Sequence, residues 1–233
     1  MNLRETIRRS PYSPTLLKQR LLQYIPFPTL TFRLYLWVRG LHPSVQFSEH
    51  DPFKIYWINP DRIERISGNT RPVLWSSVKA GSWDQEPESF VNTPVYKSIK
   101  QHYQNDVSWA ETPLFGEFWR KAQYGDAWGY TTVEQFNRRI KEIESLVESI
   151  CEDGYKRQTN IQQQNWTDTN DPVPPALNEV TVDLGRDGEP LWRDFGQHRL
   201  AVAKIFDIEK IPVLIGARHE LWIAGTSKTD KNI

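Results

Sequence analysis

The sequence predicts an α+β fold, and three stretches predict it. Residues 179–215 read in succession as hairpin, glycine turn, helix and strand, residues 55–63 as a strand ending in a turn, and much of 95–155 as helix. The first stretch is the most informative. Glu179-Val180-Thr181-Val182-Asp183-Leu184 alternates as a strand does, Asp187-Gly188 is a strong hairpin turn, and Pro190-Leu191-Trp192 starts the return strand. The chain then runs through Asp194-Phe195-Gly196 into a helix that opens with His198 and Arg199 and carries an apolar stripe of Leu200, Ala203, Ile205 and Phe206. Lys210-Ile211-Pro212-Val213-Leu214-Ile215 reads as a further buried strand.

The other elements follow in chain order. Residues 1–50 form a basic arm: residues 1–45 hold Arg4, Arg8, Arg9, Lys18, Arg20, Arg33 and Arg39 against Glu5 alone, together with Leu16, Leu17, Leu21, Leu22 and the apolar run from Leu30 to Val38. Arg33 interrupts that run, which is shorter than the roughly 18–20 residues a membrane span needs, and the small-residue cleavage pattern of a signal peptide is missing. The arm is expected either to pack on the domain as a helix or to lie as a basic amphipathic element on DNA or an anionic membrane. Residues 51–222 are expected to form the domain proper. In it, residues 51–84 hold the first strand, the Asn59-Pro60-Asp61 turn and a loop. Residues 85–140 read as a helical insertion. Val95–Tyr103, Glu117–Ala122 and Thr132–Ser149 have helical spacing, with Thr131 or Thr132 as N-cap and Glu134 in the first turn. Its aromatic residues, among them Trp109, Phe115, Phe118, Trp119 and Trp128, are read as core rather than as stacking platforms for bases. Residues 157–178 have few apolar side chains and read as an exposed connection, and 223–233 as a polar tail that frays.

Composition bounds the function. The chain has 233 residues, and 29 Lys and Arg balance 29 Asp and Glu, so the molecule as a whole offers no electrostatic attraction to nucleic acid. The single cysteine, Cys151, supplies neither a disulfide framework nor a metal cluster, and its place on a helix predicts a packed thiol in a cytoplasmic protein. His42, His50, His102, His198 and His219 lack close metal-ligand spacing, so a zinc site is not expected. A Walker loop, a Rossmann glycine fingerprint and a nucleophile elbow are missing from the sequence.

The chemistry concentrates at residues 194–199. The first turn of a helix carries unpaired N–H groups and partial positive charge, so it is a ready anion site. Gly196 lets the backbone approach a ligand, Arg199 offers a planar charged fork, and His198 can donate to a phosphate oxygen. A nucleotide phosphate is therefore expected at Gly196, Gln197, His198 and Arg199, with Asp194 as a candidate acid beside the turn.

Three blocks carry a family resemblance. Gly196-x-His198-Arg199-Leu200-Ala201-x-Ala203-Lys204 followed by Ile211-Pro212-Val213, the helix-then-glycine segment Ile143–Tyr155, and the opening Ile55-Tyr56-Trp57-Ile58-Asn59-Pro60-Asp61-Arg62-Ile63 occur in the order found in the ParB N-terminal/sulfiredoxin superfamily, which the chain resembles over about half its length. The resemblance implies a small mixed sheet with flanking helices and a bound nucleoside di- or triphosphate such as ATP or CTP, with magnesium. It also implies that the loop after the opening strand approaches the nucleotide. Gly81, Ser82, Trp83 and Asp84 lie in that loop. Asp84 would then be a general base or magnesium ligand and Trp83 a stacking or covering ring. Alternatively, Trp83 anchors the core and Asp84 caps the next helix.

Departures from the family narrow the activity. Gln197 stands where sulfiredoxins carry their catalytic cysteine, so sulfiredoxin chemistry is not expected. ParB proteins commonly have glutamate there and arginine in place of His198, and they continue into a helix-turn-helix domain for which few residues remain here. Three functions stay open. One is a magnesium-dependent phosphotransferase or phosphohydrolase using Asp84, Asp194 or His198. The second is a nucleotide-sensing module without turnover. The third is a DNA- or membrane-associated adaptor acting through residues 1–45. The sequence does not address oligomeric state.

Overall fold

The computed structural model describes residues 34, 37–38, 46–69, 75–85, 88–123, 132–161 and 175–226. The chain divides into two compact units: residues 1–45 with 158–178, and residues 46–157 with 179–233. In the first unit the described parts are helical positions Leu34, Trp37 and Val38, a short helix at Gln158–Ile161 and a single 3-10 turn at Pro175–Leu177. The basic character proposed for residues 1–45 otherwise falls outside the described residues, as does Trp128. The sequence reading assigned 157–178 to a connection after the domain's long helix, whereas the division groups 158–178 with the N-terminal segment.

The second unit is α+β. Its strands are β1 Gln46–Phe47, β2 Tyr56–Ile58, β3 Arg65–Ile66, β4 Ser77–Lys79, β5 Val180–Leu184, β6 Pro190–Trp192 and β7 Ile211–His219. They make one mixed sheet in the order β1-β4-β7-β5-β6-β3, with β2 also pairing β7. β5 and β6 form the predicted antiparallel hairpin, while β5 and β7 run parallel, joined through the helix that follows β6. That helix is needed because parallel neighbours cannot be linked by a tight turn. β7 extends four residues past the predicted end at Ile215 and is buried throughout. One of its edges pairs with β2 at Ile211–Val213 and with β4 at Ala217–His219. β3 and β4 fall where the sequence predicts loop, and β1 falls within the residues 1–50 it assigns to the basic arm. Each is two or three residues long, too short to show a period, and exists because a longer strand offers it a free edge.

Taken in chain order over the described residues, the helices are α1 Pro94–Asn105, α2 Pro113–Gln123, α3 Val133–Asp153, α4 Gln158–Ile161 of the first unit, α5 Gln197–Ile205 and α6 Glu220–Thr226. Their starts follow ordinary capping chemistry. Thr93 caps α1 ahead of Pro94, which lacks the N–H that would otherwise go unpaired. Thr132 and Gln135 close a capping box on α3. α6 begins inside the stretch the sequence reading gave to the end of the domain and continues to Thr226, so the fraying tail cannot begin at 223.

The core explains the order of these helices. Phe136, Ile140, Ile143, Val147 and Ile150 recur every three or four residues along α3 and are all buried. They join Val95 and Ile99 of α1, Leu114 and Phe118 of α2, and Leu200 to Ala203 of α5 over Val180, Val182, Leu184, Val213 and Ile215 of the sheet. Phe118 and Phe136 sit 4.7 Å apart between ring centres, with Phe115 5.1 Å from Phe136, so most insertion aromatics do fill the core. Trp119 instead stacks on Phe115 from the surface. Cys151 also departs from expectation: it lies exposed on the outer side of α3, because the apolar stripe passes through its neighbour Ile150. Lys204 ties the last turn of α5 to the 3-10 turn at Pro60–Arg62 by donating to the Pro60 carbonyl at 2.9 Å.

Candidate functional site

The glycine turn is built by two consecutive backbone reversals. Asp194 and Gly196 both adopt left-handed conformations, with φ of 53° and 74°. A Cβ on residue 196 would meet Val180 Cα and Cγ2 at 2.8 Å, so only glycine lets α5 begin against the start of β5. Gly196 is the N-cap of α5 and supplies no side-chain hydrogen bond to the first turn. The amides of that turn thus receive no bond from a capping side chain.

The side chains around the turn are only partly those expected. His198 is drawn toward α3, where an Arg139 Nη2 donates to its Nδ1 at 3.4 Å. Burial, followed by the positive charges of Arg139 and Arg199, holds the imidazole down to about 3, so the ring is neutral near pH 7. Arg199 points inward rather than toward an open ligand position. It pairs with Glu179 Oε2 at 3.4 Å, with side-chain exposures of 11% and 1%. Tyr155, just past the end of α3, is the third member of this group. Burial pushes its phenol up to about 12, with Arg199 and Glu179 as its charged neighbours. Asp194 stays half-buried and lies 3.7 Å from Arg193 Nε. The sequence reading missed Arg139, Tyr155 and Glu179. Arg139 and Tyr155 arrive from α3, whose pairing with α5 is a tertiary matter. Glu179 was read as part of an alternating strand, and the only available signal was its place directly before an apolar run.

Asp84 and its neighbours are placed elsewhere. The Asp84 carboxylate accepts from Arg186 backbone N at 2.9 Å, Nε at 2.8 Å and Nη2 at 2.9 Å. The Arg186 side-chain hydrogen bonds in particular hold its pKa at about 2, against desolvation that acts the other way. His219 Nε2 bonds the Gly81 carbonyl at 2.8 Å, and the Trp83 ring lies 5.6 Å from the His219 ring. Gly81, Trp83 and Asp84 thus clamp their loop to the β5–β6 turn and the end of β7, and Ser82 is exposed beside them. Val213, level with Val180 and Gly196, and His219 are six residues apart along β7, roughly 20 Å for extended chain. The two groups expected to surround one nucleotide are at opposite ends of the central strands. Asp84 is committed to the Arg186 clamp and is not positioned as a base or magnesium ligand for the glycine turn. It is also not a helix cap.

A buried network on the far face of the sheet was not foreseen either. Asp183 is 1% exposed and accepts from Ser67 Oγ at 2.6 Å, Asn69 Nδ2 at 2.8 Å, Arg193 Nη1 at 3.0 Å and the Ala217 amide at 2.7 Å. The last bond fills the ladder gap left by the register shift between Val182 and Leu184. A carboxylate with four donors is a structural pin. Among the described residues no group of three or more His, Cys, Asp or Glu is arranged to hold a metal ion. Among the same described residues no helix is long and apolar enough to cross a membrane. Compared with protein-family models, curated proteins and solved structures, the chain matches none.

Proposed function

We propose that this protein binds a nucleoside di- or triphosphate at the first turn of α5, in the manner of a ParB/sulfiredoxin-like domain. One observation carries the reading: a nine-residue helix starts at a left-handed glycine with no side-chain cap, flanked by the Arg139 guanidinium and the neutral His198 ring. Amides, a permanent cation and an imidazole able to take up a proton next to a polyanion make a phosphate-binding combination. Arg199 supports this from behind, its guanidinium held by Glu179.

Binding without turnover by Asp84 is the form of the reading we favour. Its oxygens are occupied by Arg186 and it lies at the other end of the sheet, so of the three residues the sequence singles out for catalysis His198 and Asp194 stay near the turn for any magnesium-dependent phosphoryl transfer. Calorimetric titration of ATP, CTP, GTP and their diphosphates, with and without magnesium, tests it. Binding of at least one nucleotide is expected, weakened about tenfold or more in Arg139→Ala and His198→Ala, since each removes a charge-assisted or phosphate-directed contact. If none of these nucleotides binds at millimolar concentration, the reading is wrong. Phosphate release that survives Asp84→Asn would add turnover to it.

A further inference from the structure

Four buried or partly buried cations of this fold pair with carboxylates: Arg186 with Asp84, Arg193 with Asp183, Arg199 with Glu179 and Lys204 with Asp61. Arg218 breaks the pattern. It lies on β7 opposite Val78 and Leu184, is only 2% exposed, and is the largest fully buried side chain among the described residues. Its Nη1 donates to Ser48 Oγ at 3.4 Å and its Nη2 to the Tyr56 hydroxyl at 3.3 Å, both long contacts to neutral oxygens. Among the described residues no carboxylate pairs with it. Arginine cannot escape by losing its proton, so an interior guanidinium without a counter-ion is costly. Burial accordingly works against its charge, opposed by the Tyr56 hydroxyl. A second cation stands close by, since Lys54 Nζ sits 4.8 Å above the Tyr56 ring.

We propose that Arg218, Ser48 and Tyr56 form a binding site for a small oxyanion, a phosphate or carboxylate group. The guanidinium supplies a planar fork of N–H donors. The two hydroxyls that now accept from it keep their own O–H hydrogens to donate to the anion, and Lys54 adds positive charge at the edge. The site is separate from the glycine turn: Arg218 is level with Leu184 at one end of β5, and Gly196 packs on Val180 at the other, about 13 Å away along the strand. The group bound is either a free ion or the acidic end of a metabolite, and both share this chemistry.

Thermal unfolding of the full chain in increasing inorganic phosphate or acetate, against chloride at matched ionic strength, tests the proposal. A saturable rise in Tm is expected with at least one of the two oxyanions. The apparent affinity should fall at least about tenfold in the double variant Ser48→Ala with Tyr56→Phe, be lost in Arg218→Met, and persist in His198→Ala. No saturable rise with either ion, or a rise unchanged in the double variant, overturns the proposal. A rise that disappears in His198→Ala assigns the anion to the glycine turn instead and also overturns it. If Arg218→Met does not fold, the double variant alone decides. A failure here leaves the nucleotide reading standing, because that reading depends on Arg139 and His198.

Discussion

His198 was chosen from the sequence as a phosphate donor, and its environment gives it a measurable signature. Folding lowers its pKa from an ordinary 6.5 to about 3. As pH falls below 6.5 the unfolded chain takes up a proton that the folded chain refuses until about pH 3. Stability is therefore lost across that interval, by at most about 1.4 kcal/mol per pH unit from this group. Urea unfolding between pH 7 and 4.5 should show a steeper loss for the wild type than for His198→Gln. Parallel curves would mean that the ring is accessible and titrates normally. Asp84 acts in a lower window. Its folded pKa of about 2 lies below the ordinary 3.8, so its contribution is full above about pH 4 and lost as pH falls toward 2. A carboxylate meant to gain and lose protons near neutrality would be shifted the other way.

At the scale of elements, α3 links sequence and site. Its amphipathic spacing was legible, and so was its cap, because the hydroxyl that closes a helix start is local chemistry. Removing that cap in Thr132→Ala should destabilise the protein by about 1 kcal/mol, read as a shift of the urea midpoint at constant slope. Nucleotide binding should weaken with it only if fraying of the first turns displaces Arg139. The helix continues to Asp153 and delivers Tyr155 to the Glu179–Arg199 pair, so one element supports the glycine turn from its middle and from its end. The loop at 81–84 shows the converse. Glycine, hydroxyl, indole and carboxylate in a row suggested a ligand loop, yet nothing local reveals that Arg186, 102 residues further on, will occupy the carboxylate.

For the molecule as a whole, β7 is the organising strand. It pairs with β5 on one side and with β2 and β4 on the other, and the α1, α3 and α5 cores close over it. Amides of Val180–Leu184 and Ile211–Ile215 should accordingly be the slowest to exchange in native-state hydrogen exchange, opening only with global unfolding. Faster exchange there than in α2 would show that the helical layer, not the sheet, is the last to open. The sheet also keeps the two proposed anion sites apart, since each is tied to a different end of the same pair of strands.

The sequence by itself determined the hairpin, the glycine turn, α5, the start of β7 and the helical character of residues 95–103, 117–122 and 132–149, because each rests on interactions within a few residues: periodicity, capping and left-handed glycine. The tertiary structure decided which charges meet. Short strands β1, β3 and β4 are held by a neighbour's open edge, and the ion pairs of Asp84, Asp183 and Glu179 with Arg186, Arg193 and Arg199 join residues brought together by folding. Arg218 belongs to the same class. That it is buried with no acid beside it among the described residues is a property of the packing around it, and no pattern along the chain records it.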